Sequence, residues 1–370
     1  MEKVCHITTV HPPFDTRVFH KECKTLEMAG YEVVLIAQHN KNEIIEGVKI
    51  IALPKPKNRF ERMFFLTKKA YRLALEQSAD IYHFHDPELI PWMIKLKKKT
   101  RANIIYDVHE DVPCQILNKH WLPWIIRKPV AWIMDGVEWL SAHIFDAIIP
   151  STPKIADRFP KVKTVVIQNF PIITEILFTT NLIPYVQRPQ SFVYVGVIAS
   201  IRGIAEIVRA FSLLSDIFKI RLELAGTFSP NEFVNTLRAL SGWTSVTYHG
   251  EISRKQLVCL LGRVRAGLVV HQPIPNEINA QPIKMFEYMA AGLPVIASNF
   301  PLWKEIIKEN QCGICVNPLN PKEIARAIKY LIEHPEEAKK MGENGRKAVL
   351  EKYNWENEGK KLLKIYERLS

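Results

Sequence analysis

The sequence predicts an α/β protein with two Rossmann-like, doubly wound domains that face a central cleft. Its length of 370 residues is sufficient for two separate cores. Short β-rich runs alternate with helical stretches, which is typical of parallel sheets joined by helices. The alternation stops near residue 170 and begins again at Ser191. Because ligands of such sheets bind at the carboxyl ends of the strands, we expect the functional residues to follow the strands.

The first domain is predicted to include residues 1–170. Its first helix is expected over Arg17–Ala29, because Gly30 is the residue type that most often ends a helix in the left-handed conformation. The strands are expected at Val4–Val10, Glu32–Ala37, Ile81–His85, Ile104–Val108, Ala147–Pro150 and Thr164–Ile167.

Residues 171–190 are predicted to form a linker, because they contain several prolines and show no clear periodicity. The second domain is predicted over residues 191–356, with a helix from Gly203 to about Leu214. Its strands are expected at Ser191–Val197, Lys219–Ala225, Val246–Tyr248, Ala266–His271 and Val295–Ala297.

The composition is that of an ordinary soluble protein. Six scattered cysteines without a disulfide-like spacing indicate a reducing compartment. Residues 1–7 are too polar for a signal peptide, and no apolar run of about 18 residues could cross a membrane. We therefore expect a cytoplasmic protein. Cys312 and Cys315 form a CxxC pair within a short apolar run, where neither a redox nor a metal role is expected.

Residues 279–298 are the most informative segment, because they read as a loop, a helix, a tight turn and a buried strand. Glu287 is an ionisable residue on the otherwise apolar helix. A buried carboxylate is costly unless it binds something, and one that faces a cleft could accept hydrogen bonds from two ribose hydroxyls. Alternatively, Glu287 is a residue near a helix N-terminus that the helix dipole favours.

The segment from Gly196 to Gly203 follows a predicted strand and opens a helix. A glycine there lets a phosphate approach the backbone, and the helix N-terminus favours negative charge. Arg202 would supply a fixed cation for a diphosphate. The alternative is an arginine at a helix start that contacts no ligand.

These two segments resemble the donor-binding part of the retaining family 4 glycosyltransferases, which have the GT-B fold. Further similar motifs lie at His11–Arg17, His83–Pro87 and Tyr106–His109, so the resemblance covers nearly the whole chain in the right order. It implies that a final helix, Asn357–Leu369, returns to the first domain. That domain would then comprise residues 1–170 and 357–370.

The resemblance also implies roles for single residues. In the family, a Glu, seven residues and a second Glu hold the sugar nucleotide; the second matches Glu287 and the first falls on Asn279. Asn279 cannot carry charge, but it can hydrogen-bond a sugar hydroxyl. Arg202 stands where the family usually has a Lys, and Val197 replaces a second basic residue. Lys284 could supply the lost charge; alternatively, it is a solvated lysine. Gly196 completes the expected donor-binding set.

In the first domain, the resemblance implies that His109 contacts the donor sugar beside the reacting carbon. The alternative is a histidine that caps a loop. His85 ends the preceding strand and could also line the cleft. Asp15 and Arg17 belong to the first loop–helix connection, next to the acceptor and the donor phosphates. Asp15 could equally cap its helix.

The expected mechanism depends on the leaving group. A departing nucleoside diphosphate gains negative charge, which Arg202, Lys284 and backbone N–H groups could stabilise. No Asp-x-Asp follows a predicted strand, so neither a metal nor another cofactor is expected. The resemblance implies retention of configuration. Because no residue clearly fits the carboxylate nucleophile of a retaining glycosidase, we expect front-side attack, with His109, Arg202 and Lys284 as the catalytic residues.

The net charge of +12 indicates an anionic partner. Two segments, 55–72 and 119–128, combine Lys and Arg with aromatic and apolar residues, which suits a membrane interface. Alternatively, they are solvated helix faces over ordinary core. A nucleic acid is not expected as a partner, because no binding motif for it is recognised. The residues expected to face the membrane are Arg62, Lys68, Lys69, Trp121, Trp124, Arg127 and Lys128.

The sequence therefore predicts a cytoplasmic glycosyltransferase attached peripherally to the inner face of the cell membrane. It would move a sugar from a nucleotide donor to a lipid-linked or other saccharide acceptor, as in capsule, O-antigen or exopolysaccharide assembly. Two other hypotheses stay open. One is a catalytically weak GT-B scaffold that binds a nucleotide sugar, and the other is a GT-B nucleotide-sugar epimerase or hydrolase.

Overall fold

A computed structural model of the protein describes residues 1–117, 122–177 and 183–370. It contains two compact units, Met1–Asn169 together with Trp355–Ser370, and Phe170–Asn354. Each unit holds a predominantly parallel sheet joined by helices. The predicted two-domain α/β class is therefore confirmed. The described residues of the expected linker, 171–177 and 183–190, are counted with the second unit.

The described part of the first unit has a sheet in the order β3-β4-β2-β1-β5-β6-β7. All pairs are parallel except β3 with β4, an edge pair that was not predicted from the sequence. The strands are β1 (Lys3–Ile7), β2 (Glu32–Gln38), β3 (Glu43–Ile45), β4 (Val48–Leu53), β5 (Ile81–Phe84), β6 (Asn103–Val108) and β7 (Ala147–Pro150).

The strand predicted at Thr164–Ile167 is wrong. This segment runs beside β7 but forms an isolated bridge between Ile148 and Thr164. The carbonyl of Ile167 accepts instead from the buried guanidinium of Arg17, at 2.8 Å. The carbonyl of Ile167 is therefore not available to extend the β-ladder.

The first unit carries helices on both faces of its sheet. A π-helical stretch, Val18–Cys23, leads into α1, and a second one, Arg62–Leu66, joins α2 to α3. The final helix, predicted at Asn357–Leu369, begins two residues earlier and belongs to this unit. The helices are α1 (Lys24–Met28), α2 (Arg59–Glu61), α3 (Thr67–Gln77), α4 (Ile90–Thr100), α5 (Val112–Leu117), α6 (Trp124–Ile144), α7 (Pro153–Ala156) and the C-terminal helix (Trp355–Leu369).

The two faces of the central strands differ in chemistry. Every second residue of β1, β5 and β6 packs into an apolar core under α3, α4 and α6. The alternate residues include His6, His83 and Asp107, all fully buried. On that side the C-terminal helix supplies Tyr366, whose hydroxyl lies 2.7 Å from Nδ1 of His83. The period of two along the strands therefore separates an apolar face from a polar one.

The described part of the second unit has a parallel sheet in the order β10-β9-β8-β11-β12-β13, with one hydrophobic cluster on each face. Its strands are β8 (Ser191–Val195), β9 (Arg221–Ala225), β10 (Val246–Tyr248), β11 (Ala266–Val269), β12 (Val295–Ser298) and β13 (Gly313–Val316). Its helices are α8 (Ile173–Leu177), α9 (Ile204–Ser212), α10 (Phe233–Arg238), α11 (Arg254–Leu261), α12 (Pro275–Ile278), α13 (Ile283–Ala290), α14 (Pro301–Asn310), α15 (Pro321–Glu333) and α16 (Pro335–Glu351).

Candidate functional site

Two glycines shape the loop between β8 and α9. Gly196 has φ +123°, and a Cβ on it would lie 2.8 Å from Nζ of Lys284. Gly203 has φ +66°, and a Cβ there would lie 1.8 Å from the carbonyl oxygen of Val270. Side chains at these positions would push the loop away from the carboxyl ends of β8 and β11. The loop therefore places the start of α9 at the edge where parallel sheets bind anions, and its Gly196 leaves room there for Lys284 of α13.

Lys284 is a half-buried cation at the beginning of α13. Its Nζ donates to the hydroxyl of Tyr194 at 2.9 Å and lies 4.0 Å from the centre of that ring. Burial, together with the nearby Arg202, lowers the pKa of Lys284 to about 7. An anion beside Nζ would favour the protonated form, so the lysine is suited to bind one.

A cluster of charged and polar side chains in the second unit consists of Arg202, His271 and Glu277. Nη1 of Arg202 lies 2.5 Å from Oε2 of Glu277 and 3.1 Å from Nδ1 of His271, which is itself 2.6 Å from the same oxygen. Burial lowers the pKa of His271 to about 4, so this ring is neutral at physiological pH. Burial raises the pKa of Glu277, but the contacts with His271 and Arg202 outweigh it and hold that pKa below its usual range. The ionised Glu277 therefore fixes Arg202.

Asn279 and Glu277 differ in exposure to solvent. Asn279 is exposed just after α12, and its side-chain amide donates to the carbonyl of Pro275 at 3.3 Å. Glu277 is the buried acid of this turn. It was not predicted, because counting eight positions back from Glu287 leads to Asn279. The available signal was an acid shortly after the apolar run that ends at His271.

Glu287 is buried on α13 and is paired with an arginine from another helix. Its Oε1 accepts from Nη1 of Arg254, whose Nη2 donates to Glu175 at 2.7 Å. These carboxylates raise the pKa of Arg254 even though burial opposes this. The ion pair explains how a carboxylate is tolerated in this apolar helix. Arg254 and Glu175 lie far from Glu287 in sequence and were not predicted.

In the first unit, Arg17 lies at the centre of a buried charge cluster. Its guanidinium donates to both oxygens of Asp107, from Nη2 to Oδ1 at 2.9 Å and from Nε to Oδ2 at 3.0 Å. Nε also lies 2.9 Å from Oε1 of Glu22. The sequence predicts Arg17 beside the donor phosphates. In the structure its guanidinium is instead buried and paired with carboxylates inside the first unit.

The two carboxyl groups around Arg17 differ in protonation. Burial and the neighbouring Asp107 raise the pKa of Glu22 well above its usual range and so favour its protonated form. Burial also opposes the charge on Asp107, but Arg17 and His109 hold its pKa well below the usual range. One cation therefore balances one anion in this buried cluster.

Four side chains of this cluster, those of Glu22, His83, His85 and Asp107, offer ligand atoms within 4.8 Å of one another. The set does not fit a divalent cation, because the guanidinium of Arg17 already lies within hydrogen-bond distance of both carboxylates. A second cation would meet that charge at close range. That the protein needs no metal or other cofactor stays a prediction.

His109 is the half-buried end of a row of histidines. Its Nε2 lies 3.1 Å from Nδ1 of His85 and 3.1 Å from Oδ2 of Asp107. Nε2 of His85 in turn lies 3.0 Å from Nδ1 of His6. Burial lowers the pKa of His85 to about 4, so His85 is a neutral interior group. His109 is therefore the partly exposed member of this row, and His85 is buried.

Asp15 acts as a helix cap. Its Oδ1 accepts from the backbone N–H groups of Arg17 and Val18, at 2.8 and 3.0 Å. Its Oδ2 lies 3.4 Å from Nδ1 of His11. The capping alternative for Asp15 is thus the one that the geometry supports.

The residues expected to face a membrane are partly exposed and partly engaged. Lys68, Lys69, Trp124 and Lys128 are exposed. Arg62 pairs with Glu88 at 2.9 Å, and Nε of Arg127 donates to the carbonyl of Leu122 at 2.8 Å. Trp121 lies outside the described residues.

Comparison with known proteins adds to this picture. Residues 16–170 match the family model described as Glycosyltransferase Family 4, and residues 184–348 match the one described as Glycosyl transferases group 1. The MMP alpha-(1->4)-mannosyltransferase of Mycolicibacterium hassiacum is 23% identical over 45% of this chain and 40% of that protein. The glycogen synthase of Mycobacterium tuberculosis is 20% identical over 95% of this chain and 90% of that protein. The chain thus spans less than half the length of the first of these relatives.

Solved structures match along the whole chain. Sucrose-phosphate synthase from Thermosynechococcus elongatus has a TM-score of 0.77 at 17% identity, covering 100% of this chain and 99% of that one. The Anabaena protein HepE, in complex with UDP and glucose, has a TM-score of 0.74 at 13% identity, covering 100% of both chains. These likenesses show that the two sheets form the GT-B fold predicted from the sequence.

Proposed function

The chain is a family 4-like glycosyltransferase in both of its matched segments, and from this premise we propose that it transfers a sugar from a nucleoside-diphosphate sugar to a saccharide acceptor. The observation that carries the proposal is the pair of cations at the carboxyl ends of the second sheet. Lys284 and Arg202 lie close enough for Arg202 to lower the pKa of Lys284. Lys284 has a hydroxyl and no carboxylate as its hydrogen-bond acceptor, and beside Arg202 it supplies positive charge that suits a diphosphate.

Each part of the donor has a proposed partner in the second unit. The diphosphate lies against Gly196 and the start of α9, between Arg202 and Lys284. Glu287, oriented by its ion pair with Arg254, accepts hydrogen bonds from ribose hydroxyls. Asn279 contacts a sugar hydroxyl from the exposed edge of the site. The UDP bound by the solved HepE supports this class of donor.

The proposed reaction proceeds with retention by front-side attack. Three buried carboxylates, those of Glu277, Glu287 and Asp107, each contact a different arginine. None is therefore presented as a free nucleophile of the kind that retaining glycosidases use. The growing charge on the leaving diphosphate is stabilised by Arg202 and Lys284. His109 contacts the donor sugar beside the reacting carbon.

The acceptor is proposed to be a lipid-linked saccharide, handled at the inner face of the cell membrane in capsule, O-antigen or exopolysaccharide assembly. The exposed cations Lys68, Lys69 and Lys128 support an anionic surface as partner. A pocket at the carboxyl ends of β1 and β2, lined by His11 and His39 among others, gives a polar place for sugar hydroxyls. Among the described residues, no helix is both long and apolar enough to cross a membrane.

The test is a thermal-shift screen against a panel of nucleotide sugars, followed by product analysis with lipid-linked acceptors. We expect one donor to raise the melting temperature and its sugar to appear on the acceptor, with an unchanged anomeric configuration by NMR. Donor binding without any transfer would favour the scaffold. Release of free sugar or of an epimer in the absence of acceptor would favour the hydrolase or epimerase.

A further inference from the structure

Helix α6 presents apolar side chains to solvent along its outward face. Ile125, Trp132 and Trp139 repeat at intervals of seven residues, and Ile133 and Leu140 form the adjoining stripe. These five side chains are between 51% and 78% exposed. A helix on the surface of a water-soluble protein normally turns its polar residues outward. The pattern of α6 is the reverse, and an apolar patch of this size indicates an interaction surface.

The inward face of α6 is fixed by a buried ion pair. Glu138 is fully buried; its Oε1 accepts from the hydroxyl of Tyr106 at 2.7 Å, and its Oε2 accepts from Nη2 of Arg158 at 2.6 Å. Ala142, one turn further, lies in the core under the sheet. A rotation that hid the apolar stripe would leave a buried charge without its partner, which is strongly destabilising. The outward direction of the stripe is therefore a fixed property of the fold.

The dimensions of α6 fit a helix that lies in a membrane interface. Its 21 residues correspond to roughly 31 Å at 1.5 Å per residue. The described chain has no helix that meets the length and hydropathy needed to cross a bilayer. An amphipathic helix that binds a membrane without crossing it lies in the plane of the interface, with its apolar face at the boundary of headgroups and acyl chains.

Charge on the neighbouring helices indicates what kind of surface covers this face. Helices α3, α4 and α6 pack on the same face of the sheet. The rings of Tyr71 on α3 and Trp92 on α4 are in contact, with 5.2 Å between their centres. The acid Asp135 at the edge of the stripe is paired with Arg158 at 2.7 Å. The exposed cations of α3 and α4 are Lys68, Lys69, Arg72, Lys95, Lys98 and Lys99. An anionic lipid surface complements both the apolar stripe and these cations.

We propose that α6 is an interfacial anchor that inserts Trp132, Ile133, Trp139 and Leu140 into an anionic bilayer. The cations of α3 and α4 then lie at the level of the headgroups. This inference deepens the membrane partner of the proposed function. The basic segments supply salt-sensitive attraction, whereas α6 supplies the apolar insertion and sets which side of the first unit faces the lipid.

The test is co-sedimentation with vesicles of phosphatidylcholine alone or mixed with phosphatidylglycerol, at low and high salt. We expect wild type to bind the mixed vesicles and to keep a fraction bound at high salt. The double variant Trp132→Glu with Ile133→Glu should lose that fraction and bind at least about tenfold more weakly. The matched control is Ile217→Glu in the second unit, because Ile217 and Ile133 are 67% and 65% exposed; it should bind like wild type.

A gentler variant keeps the test valid if the double variant does not fold. Trp132→Phe retains an apolar ring and removes one fluorophore, so brominated lipids should quench its emission less than that of wild type. Equal vesicle binding by wild type and the double variant would overturn the proposal. So would a lipid-free dimer that the double variant dissociates, since a second copy would then cover the stripe. Vesicle binding needs no donor, so this result stands apart from any failure of the proposed transfer.

Discussion

Lys284 and Tyr194 form a cation–hydroxyl contact at the carboxyl end of β8, with Nζ 2.9 Å from the phenol oxygen. Burial raises the pKa of Tyr194, so the hydroxyl stays neutral and does not neutralise the lysine. The ammonium is thus held in place, but its charge is not balanced by this partner. A ligand that brings negative charge has more to gain at Lys284 than at a lysine already paired with a carboxylate.

The first prediction concerns protons taken up on donor binding. Because Lys284 has a pKa of about 7 in the free protein and a bound diphosphate raises that pKa, binding above pH 7 should be accompanied by proton uptake. The affinity for the donor should then fall as pH rises from 7 to 9, by up to about tenfold per pH unit. Calorimetry at pH 8 in buffers of different ionisation enthalpy measures this uptake with a nucleotide sugar.

The control for this prediction is Lys284→Arg. Arginine stays charged throughout the range, so this variant should bind the donor without proton uptake. Equal proton uptake by wild type and Lys284→Arg would assign the proton to another group.

The second prediction separates a ribose-binding role of Glu287 from a role in holding Arg254. Glu287→Ala should weaken nucleotide binding by about 1.5–3 kcal/mol, the range for hydrogen bonds to a charged group. Glu175→Ala removes the other carboxylate on Arg254 and should change the affinity much less. Isothermal titration with the nucleoside diphosphate measures both. Equal losses in the two variants would mean that Glu287 acts through Arg254 alone.

The third prediction concerns transfer. Arg202→Ala should lower kcat by about a hundredfold, by analogy with removal of one oxyanion donor. Glu277→Gln should also lower kcat, because Glu277 fixes the guanidinium of Arg202. Asn279→Ala should have the smallest effect of the three, since its side chain is exposed. Initial rates over a range of donor concentrations separate kcat from KM. A larger loss of kcat for Asn279→Ala than for Glu277→Gln would contradict this order of effects.

The fourth prediction concerns the stability of the first unit. Asp107→Asn leaves the buried guanidinium of Arg17 without its ionised partner and should lower the free energy of unfolding by about 3–5 kcal/mol. Glu22→Gln should be far milder at neutral pH, because the raised pKa of Glu22 favours its uncharged form. Urea unfolding at pH 7 compares the two variants. Equal destabilisation would show that Glu22 carries charge in the folded protein.

The pH dependence of stability follows from the same group. The raised pKa of Glu22 means that the folded protein keeps a proton which the unfolded chain releases above its ordinary pKa near 4.5. The folded state then binds more protons, so this group makes the free energy of unfolding fall as pH rises above that value. Glu22→Gln should flatten this part of the curve between pH 5 and 8, and an unchanged slope would contradict the assignment.

Local patterns predicted most strands of both sheets and the glycines at Gly30, Gly196 and Gly203, because these depend on neighbouring residues. The partners of the site residues were not predicted. Arg254 reaches Glu287 across 33 positions, and Arg17 reaches Asp107 across 90. Such pairs depend on strand order, which no local pattern encodes.

Two further features were not predicted, for opposite reasons. The alternation of polar residues along β1, β5 and β6, at His6, His83 and Asp107, was visible in the sequence and marks one polar sheet face. Helix α6 was missed for the opposite reason. Its outward stripe is apolar, as in Trp132 and Leu140, so its pattern resembles that of a buried segment.

The bond between His83 and Tyr366 has a consequence for how the protein is made. It joins residues 283 positions apart, and between them the chain builds the whole second unit. On the ribosome, domains generally fold as they emerge. The second unit is complete before the C-terminal helix leaves the exit tunnel, whereas the polar face of the first sheet stays open to water until that helix docks. Although the synthesis of the first unit begins first, its polar sheet face is therefore covered last.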